Sequence, residues 1–415
     1  MSVYTISNLS QKAIGFLLLP VITMYLSTRE TGDLSTIMAI VALVGPLIMM
    51  SAHGAINLEF FRQDQGKENF SAYLSSALMN PLLLFLGTTL LVFLFGEYLA
   101  AWLEMEVLWI YLIPVLSLTT LIPQVRSIIY QAQEQPINHA IYNISMTLID
   151  LGLSILLLVG LSMSWEGRVL GNFGTKFLFS LIGLFLLWRS GLLKFDIRRI
   201  FMRDAIWFGL PLVPHILSAN IMDLSDRLFI REMISVDELG VYDIGYKIGS
   251  IILILQAAIN MAWLPFFFKK MKEITPNTKK EIVRLSYLMM GGLSLAGLLL
   301  YLISPLIFRY FVWSDAYQAG LQYVGIIALA YIFLGFYKLF SAYIIYTKNN
   351  KYLSYIAVFN IIFNLFLNYV LIRKYGAIGA AYATLTSYFM FFIITAIISQ
   401  WLYPMPWLSK FWKKE

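Results

Sequence analysis

Two acids and an arginine interrupt one apolar stretch of the chain, at a spacing that suits ion pairing or ion binding. The stretch 218–233 reads SANIMDLSDRLFIREM and holds Asp223, Asp226 and Arg227. A charge inside a membrane helix costs at least about 2.5 kcal/mol, so such residues normally face a partner or a cavity. Asp223 and Arg227 are four residues apart and could form a local pair on one helix face. The alternative is that the acids bind a coupling ion.

Cations lie inside several other apolar segments, and together they predict a basic cavity. Phosphate or diphosphate is the expected ligand, because lysine and arginine bind it by charge and by multiple donors. The candidate cations are Lys12, Arg126, Lys176, Lys247 and Lys338. Two of them, Lys12 and Arg126, could instead extend to the cytoplasmic interface.

The remaining intramembrane polar residues divide into acids and neutral groups. Asp150 and Asp243 join the candidates for gating or ion coupling, although Asp243 could simply pair with Lys247 four residues on. A second set is made of Asn360, Asn364, Asn368 and His215. The three asparagines share one helix face, where we expect interhelical hydrogen bonds, with the lining of a cavity as the alternative. We expect His215 to be a satisfied core histidine rather than a proton relay.

Signatures of catalysis are missing from the sequence. It has no cysteine and three histidines, and it contains no GxxxxGK[ST], HExxH or GxSxG motif. We therefore predict a protein that is not an enzyme, with no metal site and no cofactor. Any energy for transport would come from an ion gradient, with H⁺ or Na⁺ as the coupled ion, or from consumption of the product. No nucleic-acid partner is expected.

Composition places these residues in a membrane. The chain is 60% hydrophobic and 13% charged, whereas soluble domains are about a quarter charged. Apolar runs long enough to span a bilayer occur twelve times, at roughly 4–27, 34–58, 70–95, 107–130, 137–162, 168–188, 205–232, 241–266, 282–306, 318–346, 352–373 and 377–402.

The basic residues of the short loops predict the orientation. They concentrate on one side, near 62–67, 189–203, 269–280, 348–351 and 410–414. This side is therefore expected to be cytoplasmic, with both termini inside. The longest loops expected are 189–204 and 267–281, so no loop has room for a globular domain.

An internal repeat predicts how the twelve segments are grouped. At a shift of 208 residues, Ser27, Glu30, Gly32 and Ile40 align with Ser235, Glu238, Gly240 and Ile248. At a shift of 216, residues 128–130 align with 344–346. Both shifts relate a helix to the sixth helix after it, which predicts two parallel six-helix bundles. We place them at 1–195 and 196–415, joined by the basic loop 189–204.

The charged stretch 218–233 and the residues that follow it resemble a known family. This part of the chain is similar to the "DR…GxY…YKI" pattern of Wzx-type oligosaccharide flippases. The matching residues are Asp226-Arg227, Gly240-Val241-Tyr242 and Gly245-Tyr246-Lys247-Ile248. These polysaccharide transporters belong to the MOP (multidrug/oligosaccharidyl-lipid/polysaccharide) superfamily. The resemblance extends over the whole chain in helix count and halves.

The resemblance implies a fold and a function. The fold is all-α, with about twelve transmembrane helices in two bundles that form a MATE-like V around a central, cationic cavity. The function is transfer of undecaprenyl-diphosphate-linked oligosaccharide from the inner to the outer leaflet by alternating access, for O antigen, lipopolysaccharide, capsule or exopolysaccharide. Asp226 and Arg227 would then form a gate pair that closes in one state and opens in the other.

Two alternatives remain open. A multidrug exporter of the same superfamily would need an acidic cavity for organic cations, which the excess of lysine disfavours. A membrane-embedded glycan polymerase would need large outer loops, which the chain lacks. Lipid II flippases of the superfamily usually have fourteen helices, so twelve argues against that role.

We expect a multi-pass protein of the bacterial inner membrane, with a polysaccharide polymerase and chain-length machinery as possible partners.

Overall fold

The computed structural model describes residues 2–62, 67–194, 196–272 and 274–407, and all regular structure in these ranges is helical. A few side chains within the helices are also left undescribed. The helices are α1 Ser2–Phe16, α2 Leu18–Tyr25, α3 Thr28–Met49, α4 Ala52–Phe61, α5 Lys67–Leu103, α6 Val107–Leu118, α7 Leu121–Ala132, α8 Pro136–Ile155, α9 Trp165–Arg189, α10 Arg199–Gly209, α11 Leu212–Met233, α12 Val236–Gly249, α13 Ile252–Lys272, α14 Pro276–Phe311, α15 Leu321–Tyr346, α16 Lys351–Tyr375 and α17 Ile378–Leu402. A π-helical turn, Leu156–Gly160, follows α8, and a 3₁₀ turn, Asp315–Gly320, precedes α15.

Each of the twelve apolar segments coincides with one helix or with two consecutive helices. Within the described residues, ten helical segments are long and apolar enough to cross a membrane. The first segment is represented by a shorter apolar stretch, Ala13–Tyr25. The seventh segment covers the second half of α10 and most of α11. Helix α11 is 22 residues long and carries the charged residues Asp223, Asp226 and Arg227. The prediction of an all-α membrane protein is confirmed.

Several spans are interrupted rather than continuous. Between α3 and α4, Met50 and Ser51 adopt left-handed backbone angles, with φ of 44° and 54°. Non-glycine residues rarely adopt this conformation, so the surrounding packing must hold it. Helix α10 contributes to that packing, because a Cβ on Gly209 would lie 1.9 Å from the carbonyl oxygen of Met50. Glycine is therefore needed where α10 meets the break.

Contacts divide the chain into two compact units, Met1–Ile221 and Met222–Glu415. In the first unit, α10 and the segment before it pack on α5. Tyr73 donates a hydrogen bond to Asp204 at 2.9 Å, and Asn80 Nδ2 donates to the Met202 carbonyl oxygen at 2.9 Å. These bonds attach α10 to the first unit, although it follows the loop predicted to join the bundles. The division of the duplication at 195/196 stays a prediction.

The second unit has an aromatic core at the ends of α13 and α15. Trp263, Phe267, Phe340 and Tyr343 are buried together there. The rings of Phe267 and Tyr343 meet edge to face with centroids 4.7 Å apart, a favourable arrangement for aromatic pairs. This core packs the end of α13 against the end of α15, and the predicted basic loops 267–281 and 348–351 follow these two helices.

Those basic loops are shorter than the sequence analysis predicted. Helix α13 continues to Lys272 and α14 begins at Pro276, so most of 267–281 is helical. Thr275 caps α14 and proline occupies its first turn, both of which favour a helix start. Similarly, α10 takes up the second part of 189–204. The physical reason is that Thr275 and Pro276 provide a helix start soon after α13 ends.

The repeated serine has the same structural role in both units. Ser27 caps α3, where its Oγ accepts from the Glu30 N–H at 3.3 Å and the Glu30 carboxylate accepts from the Ser27 N–H at 2.7 Å. Ser235 caps α12 by accepting from the Glu238 N–H at 3.1 Å. Both serines thus satisfy a free N–H group at a helix start. The matched residues at the shift of 208 therefore occupy equivalent positions, which supports duplication.

Substitution of Ser235 by alanine is expected to lower the free energy of unfolding by about 1 kcal/mol, because the cap of α12 is lost. Denaturant unfolding of the purified protein in detergent measures this. Ser235→Asp is the matched control, since aspartate caps helices as well as serine does. Equal stability of the alanine and aspartate variants would contradict the capping role.

Candidate functional site

In the second unit, Arg227 lies at the centre of a buried ion-pair network between α11 and α12. Its Nη2 donates to Asp243 Oδ1 at 3.1 Å, and its Nη1 lies 3.5 Å from Asp226 Oδ1. The other oxygen of Asp243 lies 2.6 Å from Lys247 Nζ. Asp226 and Asp243 are 0% and 2% exposed. Two cations therefore face two carboxylates, and the network is neutral overall.

Tyrosines enclose this network. Tyr242 donates a hydrogen bond to Asp226, and the Arg227 guanidinium lies 4.4 Å from the ring centroid of Tyr246. The hydroxyl of Tyr246 in turn lies 2.5 Å from that of Tyr331 on α15. Rings and hydroxyls thus surround the buried charges, and ion pairs and hydrogen bonds are stronger in such an environment of low dielectric constant.

The pattern GxY…YKI has a structural reason in this unit. Tyr242, Tyr246 and the charged pair Asp243 and Lys247 lie on successive turns of α12, which is buried along most of its length. A Cβ on Gly245 would lie 2.2 Å from the carbonyl oxygen of Gly320. Only glycine permits this contact between α12 and the 3₁₀ turn before α15, and the contact holds the tyrosines in place.

The local pair predicted between Asp243 and Lys247 is confirmed. Lys247 is 37% exposed at its side chain, so it is less enclosed than Arg227. Arg227 binds Asp226 and Asp243, whereas the side chain of Asp223 lies outside the described residues. The predicted pair between Asp223 and Arg227 therefore stays a prediction, as does a gating role for this network.

The asparagine stripe of α16 forms interhelical hydrogen bonds. Asn364 Oδ1 accepts from Ser225 Oγ of α11 at 3.1 Å, and Asn364 Nδ2 donates to Ser387 Oγ of α17 at 3.1 Å. Asn368 Nδ2 donates to Asn364 Oδ1 at 3.1 Å. All three asparagines, including Asn360, are buried. The expectation of interhelical bonding is confirmed for Asn364, which links three helices next to Asp226.

Lys338 of α15 points towards α13. Its Nζ donates to Gln256 Oε1 at 3.0 Å, and Gln256 Nε2 donates to the Tyr331 carbonyl oxygen at 3.2 Å. Gln256 is buried, whereas Lys338 is half-buried. The amide of Gln256 thus orients the ammonium group of Lys338.

In the first unit, Asp150 of α8 is bound by Arg168 of α9. The guanidinium makes two bonds, Nη1 to Oδ1 at 2.7 Å and Nη2 to Oδ2 at 3.1 Å. Asn172 donates to the same carboxylate at 3.2 Å, and Arg168 also donates to Ser154 Oγ at 2.8 Å. A bidentate pair of this kind is strong and oriented. Asp150, a candidate for gating or ion coupling, is thus neutralised by Arg168.

Lys176 follows Arg168 and Asn172 on the same face of α9, at a spacing of four residues each. Asp150 and Arg168 are the charged groups that act on it, and its ammonium group has no hydrogen bond or ion pair among the described residues. Because Arg168 already neutralises Asp150, the cluster keeps one net positive charge. This charge lies within a half-buried part of the helix bundle.

Arg126 of α7 is a second cation of this unit without an acid. It is 6% exposed, and its guanidinium lies 3.9 Å from the ring centroid of Tyr130. Its Nε and Nη1 have no hydrogen-bond partner among the described residues. Burial of this degree does not fit the alternative that Arg126 extends to the membrane interface.

Sequence reasoning missed several residues of these clusters. Arg168 and Asn172 could have been found, since their spacing with Lys176 follows one face of a helix. No pattern in the sequence identifies Gln256, Ser225 or Ser387, because each meets its partner on a distant helix. The side chains of three predicted site residues, Lys12, His215 and Asp223, lie outside the described residues.

The arrangement suits binding and conformational change. Buried cations without acids attract anions, whereas a neutral ion-pair network between two helices can break and reform. The first unit contributes the excess positive charge, through Arg126 and Lys176. The second contributes the network around Arg227 and a held lysine, Lys338.

Comparison with protein families gives two matches. The family model described as "Polysaccharide biosynthesis protein" matches residues 1–271. The model described as "MatE" matches residues 211–370. An uncharacterized membrane protein of Haemophilus influenzae is 27% identical over 277 residues, a match that covers 66% of this chain and 65% of that relative.

Solved structures with the same fold are known. An inward-facing multidrug resistance MATE family transporter of the MOP superfamily superposes with a TM-score of 0.71 at 14% identity, over 97% of this chain and 94% of that one. The lipid II flippase MurJ in an inward closed conformation gives a TM-score of 0.76 at 14% identity, over 96% and 87%. At this identity the likeness establishes the fold, that of MOP superfamily transporters.

Proposed function

Since the chain belongs to the polysaccharide biosynthesis protein family, we propose that it is a flippase for a lipid-linked oligosaccharide. The substrate is an undecaprenyl-diphosphate-linked repeat unit, which passes from the cytoplasmic to the outer leaflet. The product serves surface polysaccharide synthesis, as O antigen, capsule or exopolysaccharide. The lipid tail stays in the bilayer while the head group crosses through the protein.

The observation that carries this proposal is the buried positive charge of the first unit. Arg126 is buried with its Nε and Nη1 without a hydrogen-bond partner among the described residues, and Lys176 adds a positive charge to a cluster in which Arg168 already binds Asp150. Leaving a charge unpaired in such a place is costly, and a diphosphate supplies the missing negative charge during transport.

The network around Arg227 supports the conformational part of the proposal. An ion pair can shift a two-state equilibrium only if it is stronger in one state. Arg227 of α11 binds carboxylates of both α11 and α12, so movement of α11 against α12 would alter these bonds. We assign gating or ion coupling to Asp226, Arg227 and Asp243, with H⁺ or Na⁺ as the coupled ion.

The second candidate is a multidrug exporter, and the MatE match over residues 211–370 favours it. Such an exporter handles organic cations and would present unpaired acids. In the described part of the second unit, however, the buried acids Asp226 and Asp243 are both paired with cations. The charge balance therefore favours an anionic substrate.

Deletion of the gene in its native bacterium is expected to abolish one surface polysaccharide while single lipid-linked repeat units accumulate on the cytoplasmic leaflet. Mass spectrometry of the lipid fraction measures the repeat unit and identifies its sugars. Repeat units already on the outer leaflet would point to a polymerase or ligase instead. Unchanged polysaccharide with altered resistance to cationic dyes would support the multidrug exporter.

The remaining features of the proposal concern context. The chain is a multi-pass membrane protein, and we place it in the bacterial inner membrane with both termini in the cytoplasm. It acts as a transporter and not as an enzyme, next to a polysaccharide polymerase and chain-length machinery that use its product. Neither a cofactor nor nucleic acid takes part.

A further inference from the structure

A cavity of about 500 Å³ opens at the end of the second unit where α13 ends, α14 begins and α17 ends. Five residues make apolar walls, and two lysines stand beside them. The walls are Ile274, Pro276, Pro404, Met405 and Pro406. The lysines are Lys279 and Lys280, in the first turn and a half of α14.

One wall of the cavity is a short segment after α17 that is firmly held. Gln400 brackets Met405, since its Nε2 donates to the Met405 carbonyl oxygen at 3.1 Å and its Oε1 accepts from the Met405 N–H at 3.0 Å. The ring of Trp407 lies 4.7 Å from that of Phe340, and Tyr287 donates to the Trp407 carbonyl oxygen at 2.8 Å. The cavity is therefore a built feature with fixed walls.

The first lysine is positioned by this segment. Lys279 Nζ donates to the Pro404 carbonyl oxygen at 3.2 Å and lies 4.9 Å from the ring centroid of Tyr403. A carbonyl and a ring orient the ammonium group but carry no full negative charge. Lys280, next in the chain, is exposed. Two positive charges thus meet at the mouth of a mostly apolar cavity.

This end of the unit is strongly basic. Tyr346 at the end of α15 donates to the Met271 carbonyl oxygen at 3.0 Å, which brings the ends of α13 and α15 together. Further lysines lie at this end, namely Lys269, Lys270, Lys272, Lys348 and Lys351. Among the described residues of 262–290, 340–360 and 395–407 the only carboxylate is that of Glu281, which pairs with Lys270 at 2.8 Å.

Exposed aromatic residues place the cavity at the membrane interface. Trp401, near the end of α17, and Tyr355, one turn into α16, are 69% and 66% exposed. Tryptophan and tyrosine in such positions typically lie at the level of lipid head groups. The basic loops predict that this interface is the cytoplasmic one.

We propose that the cavity binds the head group of an anionic phospholipid of the cytoplasmic leaflet. The phosphate contacts Lys279 and Lys280, and the glycerol region packs against Met405 and the proline walls. Basic pockets between membrane helices on this side bind acidic lipids by the same combination of charge and apolar contact. This lipid is distinct from the transported substrate, and its binding does not depend on the proposed transport.

Native mass spectrometry of the full chain, with phosphatidylglycerol or phosphatidylcholine added, tests the proposal. The wild-type protein is expected to retain one phosphatidylglycerol in preference to phosphatidylcholine. In Lys279→Gln/Lys280→Gln its affinity is expected to fall about 25-fold, the product of about fivefold for each lysine near an anionic lipid. Lys280→Glu changes only an exposed side chain and is expected to show a loss of at least about fivefold.

The controls separate a site from general attraction. Lys348→Gln/Lys351→Gln removes the same charge at the same end and is expected to change the affinity by less than about twofold, because screened charges act weakly at a distance. Lys279→Arg/Lys280→Arg should retain binding. Equal loss in both double glutamine variants would overturn the proposal. So would displacement of the lipid by excess inorganic phosphate, which would indicate a site for free anions.

Discussion

Arg227→Met is expected to lower the free energy of unfolding by about 3–5 kcal/mol, the usual cost of removing one partner of a buried ion pair. The guanidinium of Arg227 faces both Asp226 and Asp243, which are 0% and 2% exposed. Without it, both buried carboxylates lose an ion pair. Denaturant or thermal unfolding of the purified protein in detergent measures the loss.

Lys247→Met is the matched control for this prediction. Lys247 binds the same carboxylate but is 37% exposed at its side chain, so its loss is expected to cost less than about 1 kcal/mol. The double variant Arg227→Met/Asp243→Asn should cost less than the sum of the single changes, because the residues form one network. If Arg227→Met lowered the free energy of unfolding by no more than Lys247→Met does, Arg227 would not be the central residue of the network.

The same residues allow a test of gating. Exchange of the charges of Asp226 and Arg227 is expected to reduce polysaccharide export even when the protein is present at its normal level. Unchanged export would limit the network to a structural role.

Lys176→Met is expected to reduce polysaccharide export at least about tenfold, since a charge-assisted hydrogen bond to the diphosphate is worth about 1.5–3 kcal/mol. The free energy of unfolding of this variant is expected to rise or to stay unchanged. Arg168 already holds Asp150 through two bonds, so removal of Lys176 leaves no carboxylate unpaired. It also removes a cation whose burial costs free energy. Export in the native bacterium and unfolding in detergent measure the two effects.

Two variants give this prediction its controls. Lys176→Arg keeps the charge and is expected to retain export, whereas Lys374→Met removes an exposed lysine at the end of α16 and should have no effect. If Lys176→Met lowered stability and export together, Lys176 would be a structural residue. Export at the wild-type level would exclude Lys176 from substrate binding.

Much of this protein is determined by the sequence alone. Apolar length and the scarcity of charge predicted the membrane helices, since burial in lipid requires both. Local spacing predicted the pair of Asp243 and Lys247 and the bonding face of Asn360, Asn364 and Asn368, because residues four apart in a helix are neighbours whatever surrounds them. The repeat identified Ser27 and Ser235, whose capping role is equally local.

Tertiary structure decided which charges are balanced. Arg168 neutralises Asp150 from another helix, and Arg227 binds Asp243 across α11 and α12. Lys176 and Arg126 form no ion pair among the described residues, whereas Lys247 has Asp243 one turn before it on its own helix. The reason is physical. Periodicity specifies the neighbours of a side chain on its own helix, whereas its partners on other helices depend on how the helices pack, and that packing alone leaves the first unit with buried positive charge.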